Sequence, residues 1–237
     1  MPANLLPKNT REYRKPDVLS ATKIYICGID GAGKTTIIEG LMAQLSDMGI
    51  KTRYRWCRYN HILVKPLLLL LRVTGRTWYE TIDGARVGYR DLRNAPHLAR
   101  AFVFLTYIDT VLAFALRIVL PGMVLPGVIV VDRWVPDIMV DVAVDIGVED
   151  PLGTLWGRLL SRLRTKNSLC FLIMRPTTGV LRDRPVNRVD RRFEERLRLY
   201  KSLTAVDWIV PVTNAGPPEE AINQVLSSIR TYLAGRT

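Results

Sequence analysis

Apolar and polar positions switch between two periods along this chain, and the switching predicts an α/β fold. Lys23–Cys27 is a β-type run ending at Gly28, a first strand candidate. Ile37, Ile38, Leu41, Met42, Leu45 and Met48 follow at helical spacing, with Gly49 placed as a C-cap. Thr52–Cys57 alternates and predicts a second strand. Residues 58–96 show no clear period, and a short helix near Leu67–Leu71 among polar loops is expected there. His97–Leu120 predicts a long apolar helix stopped by Pro121-Gly122. Val128–Val131 and Leu169–Met174 are wholly apolar, as strands of a buried parallel sheet are.

Pro151–Arg164 and Arg191–Leu203 read as helices, the second with Phe193, Leu197 and Tyr200 on one face. Trp208–Val210 predicts a last strand. The closing helix begins at Pro217-Pro218 and aligns Ile222, Val225, Leu226, Ile229 and Leu233. Regular alternation of strand and helix implies a parallel sheet covered on both faces. Residues 1–22 carry Pro2, Pro7 and Pro16 without periodicity and read as an N-terminal arm; residues 23–237 read as one domain.

Composition narrows the class. The 237 residues are 48% hydrophobic and 24% charged, enough for one well-cored domain. Cys27, Cys57 and Cys170 are too few and scattered for a disulfide framework or a zinc site, and they suit a reducing, cytoplasmic location. The first 22 residues lack the apolar core of a secretory signal. Ala101–Leu120 is long enough to span a bilayer, but Asp109 and Arg117 would each cost ~2.5–3.5 kcal/mol at its centre. A buried helix is expected instead, with no transmembrane segment. Ile62–Leu71 is too short to span, yet it leaves a peripheral membrane contact by Leu67–Leu71 open. The net charge of +12 implies anionic partners. Every Lys/Arg block is interspersed with acids or apolar residues, unlike a nucleic-acid arm, so nucleic acid is not the expected partner.

The sharpest chemical signal is Gly28-Ile29-Asp30-Gly31-Ala32-Gly33-Lys34-Thr35, which fits G-x-x-x-x-G-K-[ST] between an apolar strand and an amphipathic helix. Glycines let successive backbone N–H groups converge on phosphate oxygens, and the helix start adds its positive dipole end. Lys34 is placed to bridge the β- and γ-phosphates of ATP, and the Thr35 hydroxyl to ligate Mg²⁺. Val128–Val131 runs into Asp132-Arg133. Ligands of parallel sheets lie at the carboxyl ends of strands, so Asp132 is a second Mg²⁺ candidate and Arg133 a phosphate fork. Residues 182–198 hold seven arginines against four acids. Those in Arg191–Arg198 suit a solvated helix face, whereas Arg182, Arg184 and Arg188 precede it in a loop able to close over a γ-phosphate.

These segments resemble the thymidylate kinase family of P-loop nucleoside monophosphate kinases. The likeness is carried by Gly28–Thr36, by Asp132-Arg133-Trp134, and by Asp190–Tyr200, which looks like the segment after that family's lid. It runs from about residue 23 to 235 in order and spacing. It implies a three-layer fold around a five-stranded parallel sheet with an arginine-rich lid, and an ATP- and Mg²⁺-dependent enzyme converting dTMP to dTDP. Under it, Gly28, Gly31, Ala32, Gly33, Lys34, Thr35, Thr36 and Arg182 hold ATP, with Asn214 bordering the adenine. Asp30 and Arg133 meet the acceptor and its phosphate, Arg58 adds a phosphate contact, and Arg184 or Arg188 serves transfer. Members are commonly dimers, so a homodimer through His97–Leu120 is implied as well.

The acceptor pocket departs from the pattern. Arg58-Tyr59-Asn60-His61 stands where the family has Arg-Glu-Pro-Gly, and Phe104–Thr110 lacks its thymine-reading arginine and amide. Two rivals therefore accompany the nucleotide acceptor: a kinase of the same fold acting on a sugar or lipid intermediate, and a nucleotide-binding switch.

Overall fold

Each of the five strands expected from the sequence takes its place in one parallel sheet. The computed structural model describes residues 22–58, 62–82, 84–125, 127–183 and 186–234; most of the expected N-terminal arm lies outside them. In chain order the elements are β1 (Lys23–Cys27), α1 (Lys34–Asp47), β2 (Thr52–Trp56), α2 (Lys65–Val73), β3 (Thr77–Ile82), β4 (Ala85–Arg90) and α3 (Pro96–Ala113). There follow β5 (Val128–Asp132), α4 (Val135–Ile146), α5 (Leu155–Ser161), β6 (Ser168–Met174), α6 (Thr177–Asp183), α7 (Val186–Val189), α8 (Phe193–Ser202), β7 (Ile209–Thr213) and α9 (Pro218–Ala234).

Five strands pair in parallel in the order β2-β5-β1-β6-β7, with helices on both faces. The central strand β1 is buried at all five positions, as is β5 beside it. Ile24, Ile26 and Cys27 of β1 and Val128–Val131 of β5 are apolar, as a strand covered on both faces requires, while the charged Lys23 and Asp132 stand at the strand ends. The order places the end of β1 at the middle of the carboxyl edge, between β5 and β6.

Four sequence expectations need correction. Residues 58–96 are not loops around one helix: β3 and β4 form an antiparallel hairpin that makes a second, two-stranded sheet. Its alternation is short and interrupted by Gly88, so periodicity alone missed it, although Asp83-Gly84 in the sequence is a hairpin-turn pair. Helix α4 was also unforeseen, because Val135–Ile146 is buried almost all round and its one polar stripe, Asp137, Asp141 and Asp145, turns inward instead of to solvent. The helix expected over Pro151–Arg164 shrinks to α5, whose start is set by Thr154 accepting a hydrogen bond from Gly157 N–H.

The long apolar helix does not stop at Pro121-Gly122. After Ala113 it widens into a π-helical stretch, Phe114–Val119, and adds a further turn at Leu120–Val124. Pro121 sits in the first turn after the wide segment, where a missing N–H and a bulky ring do least harm. By length and composition the whole Pro96–Val124 helix could cross a membrane, but Phe102, Thr106, Asp109, Thr110 and Ala113 on one side are buried in the domain.

Candidate active site

The loop between β1 and α1 is shaped by glycine. Gly28, Gly31 and Gly33 all take positive φ, which side chains resist. A Cβ on Gly28 would lie 2.6 Å from the Ile173 carbonyl oxygen of β6, and one on Gly33 would lie 2.4 Å from Asn214 Nδ2. The loop is thus pressed against the carboxyl ends of two neighbouring strands. Asn214 lies just beyond β7 and donates from Nδ2 to the Ala32 carbonyl at 2.7 Å. That buried side chain buttresses the phosphate loop.

Lys34 is buried and curls back over the loop, donating to the carbonyls of Gly28 at 2.8 Å and Ile29 at 2.7 Å. An ammonium has three donors, so one is left for a phosphate oxygen. Burial pushes its pKa down to about 8, against the pull of Asp137 and Asp132. Thr35 and Thr36, at the start of α1, are exposed and share with Lys34 a cleft of about 520 Å³. Asp30, Gly31, Gly33, Trp56, Arg58, Asp132, Arg133 and Arg175 complete its lining.

Asp132 ends β5 facing that cleft. Tyr54 O–H donates to its Oδ2 at 2.8 Å, while Oδ1 is buried with no partner. Burial raises its pKa above the usual carboxylate range, opposed by Tyr54 and Lys34. An orphan carboxylate oxygen beside the Thr35 hydroxyl, in a cleft that would hold a triphosphate, fits a hard cation such as Mg²⁺. No group of three or more His, Cys, Asp or Glu able to hold a metal alone occurs among the described residues. Thr35 and Asp132 would therefore share Mg²⁺ with phosphate oxygens.

Arg133 is the one non-glycine described residue with positive φ, at 66°. Such a conformation costs a bulky residue roughly 1–3 kcal/mol and persists only when surroundings enforce it. Here its N–H donates to Ile26 O at 2.9 Å, and its guanidinium bonds Asp30 Oδ1, Asp137 Oδ1 at 3.2 Å and the Gly28 carbonyl at 3.4 Å. Arg58 comes from beyond β2 to the same place. It donates to Asp30 Oδ2 at 2.9 Å and grips both oxygens of Asp141 at 3.1 and 3.2 Å. The expected trio of Asp30, Arg58 and Arg133 is thus one contiguous cluster.

Two residues of this site were missed from sequence. Asp137, fully buried on the first turn of α4, accepts from Gly28 N–H at 3.2 Å, Trp134 N–H at 3.2 Å, Tyr200 O–H at 2.8 Å and Arg133. It joins the phosphate loop to α4 and α8, and its only sequence signal is its place three residues after Trp134, where an acid caps a helix start. Arg175 follows β6 as Arg133 follows β5, and it donates to the Gly31 carbonyl at 3.1 Å.

The lid arginines fare differently. Arg182 falls in α6, its side chain outside the described residues, as is all of Arg184. Arg188 is exposed in α7 and lines none of the cavities described here, so the expected loop is helical on both its flanks. Contact with the phosphate loop comes instead from Asn187, whose Nδ2 donates to the Asp30 carbonyl at 2.8 Å.

Beyond the Asp30–Arg58–Arg133 cluster lies a second cavity of about 270 Å³, which shares Arg58 with the cleft. The two unforeseen elements supply much of it, with Thr77, Tyr79, Tyr89 and Arg90 from the hairpin and Ile138, Asp141 and Asp145 from α4; Phe102, Thr106, Asp109 and Thr110 of α3 and Arg196 of α8 complete it. Four of these residues hold a buried polar atom without a protein partner: Thr77 Oγ1, Arg90 Nε, Thr106 Oγ1 and Arg196 Nε. Each such orphan is costly unless a ligand or water satisfies it. Asp145 is paired with Arg90 at 2.7 Å and Arg192 at 3.4 Å; burial still lifts its pKa to about 6. Asp109 accepts from the N–H groups of Ile62, Leu63 and Val64 at 2.8–3.1 Å and so anchors the start of α2 to α3.

No protein-family profile and no curated protein sequence matches this chain. Among solved structures it is similar to a thymidylate kinase from Ehrlichia chaffeensis, at 15% identity, with 88% of this chain and 98% of that one covered and a TM-score of 0.54. At that identity the likeness concerns the fold: the chain has the three-layer α/β fold of P-loop kinases.

Proposed function

We propose that the chain is an ATP-dependent phosphotransferase that moves the γ-phosphate of ATP onto a small phosphorylated acceptor, with dTMP the first candidate. One observation carries this reading: the phosphate-loop cleft and the hairpin cavity share Arg58, whose guanidinium bridges Asp30 on the cleft side and Asp141 on the cavity side. A donor triphosphate in one and an acceptor in the other would bring their phosphates together there. Arg133 and Arg58 hold the acceptor phosphate, replacing part of their grip on Asp30. Lys34 and the loop N–H groups stabilise charge building on the β- and γ-phosphates. An acceptor oxygen attacks the γ-phosphorus as its bond to the β-bridging oxygen breaks, and ADP leaves. Mg²⁺, when held by Thr35, Asp132 and phosphate oxygens, would neutralise part of that charge. Catalysis is positioning and electrostatics, with no covalent intermediate on the protein.

A second reading shares the donor half and changes the acceptor. Among the described residues the lining of the hairpin cavity has no Asn or Gln; carboxylates, arginines and threonines alternate there with aromatic rings. Hydroxyl groups, which both donate and accept, satisfy such a mixture, so a sugar phosphate is the alternative acceptor. ADP formation from ATP–Mg²⁺ against nucleoside monophosphates and sugar phosphates tests both. Acceptor-dependent turnover is expected with one class; equal, acceptor-independent ATP consumption throughout would overturn the proposal.

A further inference from the structure

We propose that the outer faces of α2 and α3 form a docking surface for an anionic lipid bilayer, on which the protein sits peripherally. Helix α2 buries Leu67 and Leu71 but leaves Leu69, Leu70 and Val73 at 64, 48 and 79% exposure. Along α3 and its extension, Leu116, Leu120 and Met123 are exposed at 60, 53 and 79%, spaced so that they share one side of the helix. Only 28% of the most apolar stretch of this helix is buried. Apolar exposure on this scale, on two helices joined through Asp109, exceeds what a monomer leaves to water without use.

Charge selects the occupant. Residues 62–79 contain Lys65, Arg72 and Arg76 and no acid. Residues 96–125 contain Arg100 and Arg117 and a single acid, Asp109, which is buried and committed to the backbone before α2. The charges that these two segments themselves leave toward solvent are therefore all cations. A second copy would bring the same cations to meet them, with no acid on either side to neutralise them. Anionic headgroups supply the missing charge while acyl chains receive the leucines, as interfacial amphipathic helices require. The docking is peripheral because Phe102, Thr106 and Thr110 wall the hairpin cavity and Asp109 caps α2, so α3 cannot leave the domain. The outer side of α3 would thus face lipid while its inner side faces the cavity.

Co-flotation of the full chain with vesicles tests this. Wild-type protein should float with phosphatidylcholine vesicles doped with phosphatidylglycerol, and at least about tenfold less with phosphatidylcholine alone or at high salt. L69E combined with L70E, and separately L116E, should lower flotation by about tenfold or more while ATP binding and the thermal midpoint hold. These positions are exposed, so the fold should tolerate the change. No flotation with either vesicle would overturn the proposal. So would flotation untouched by the variants, which would assign it to the general +12 charge. A dimer in sedimentation that L116E dissociates would give the face to a second copy, and binding that resists alkaline carbonate would mean insertion. None of these results bears on the phosphotransfer reading, which stands on other residues.

Discussion

The donor cleft and the acceptor cavity are built by opposite strategies. The cleft is made of backbone: three positive-φ glycines, a lysine folded onto its own loop, and single residues at the ends of β5 and β6. It occupies one short segment, so its chemistry is compressed into a readable motif. The hairpin cavity gathers side chains from the hairpin, α3, α4 and α8, elements far apart in sequence, and none of them contributes a spacing that means anything alone. Recognition of a triphosphate therefore leaves a sequence signature, while recognition of the acceptor is dispersed into tertiary structure.

Substitutions should separate the two halves. The largest effect is expected from Lys34→Ala, which should cut turnover by roughly a thousandfold or more while leaving the circular-dichroism spectrum unchanged. Asp137→Ala should act on the fold rather than on one substrate. It takes from Arg133 one of its two carboxylate partners and from three further donors their acceptor, and a loss of about 3–5 kcal/mol in urea denaturation is expected. A smaller loss would mean that α4 and the phosphate loop are not coupled through that carboxylate.

Thr106→Val sharpens the contrast, since its hydroxyl has no protein partner to lose. Stability should be unchanged, while kcat/KM for the acceptor falls by about tenfold and KM for ATP stays the same. An equal change for both substrates would mean that the cavity does not receive the acceptor.

The smallest effect is on pH dependence. With Lys34 at about 8 in the free protein, a bound phosphate must raise its pKa, so binding takes up a proton only above that value. ATP affinity should be flat below about pH 8 and fall above it, by at most about tenfold per pH unit. Fold stability should move the other way. The unfolded lysine keeps its proton to about pH 10.4, so between there and about 8 the folded chain binds fewer protons and gains stability as pH rises. Calorimetric binding and thermal denaturation across that range check the opposite signs.

The same contrast explains what could be read in advance. Strand β1, the loop to Thr35, Asp132 and Arg133 were all legible, because a strand buried on both faces must be apolar and a phosphate loop must be glycine-rich. Arg175 was readable by the same rule that found Arg133, being the first residue past a central strand. The hairpin was not read, since Gly88 interrupts its alternation and its strands face a cavity as well as solvent, although Asp83-Gly84 is a hairpin-turn pair. Nor was α4: its stripe of Asp137, Asp141 and Asp145 turns inward, so the segment does not look like a surface helix. The buttress by Asn214 was not readable, because a contact across 182 residues to the Ala32 carbonyl exists only after β7 has joined the sheet.

Transfer of label from γ-³²P-ATP, followed in a single turnover with dTMP or a sugar phosphate as acceptor, tests the central claim most directly. The account predicts label on the acceptor, absent with Lys34→Ala and strongly reduced with Arg133→Ala. Release of the label as inorganic phosphate, at a rate indifferent to every acceptor and to Arg133, would contradict it and leave a nucleotide-hydrolysing switch.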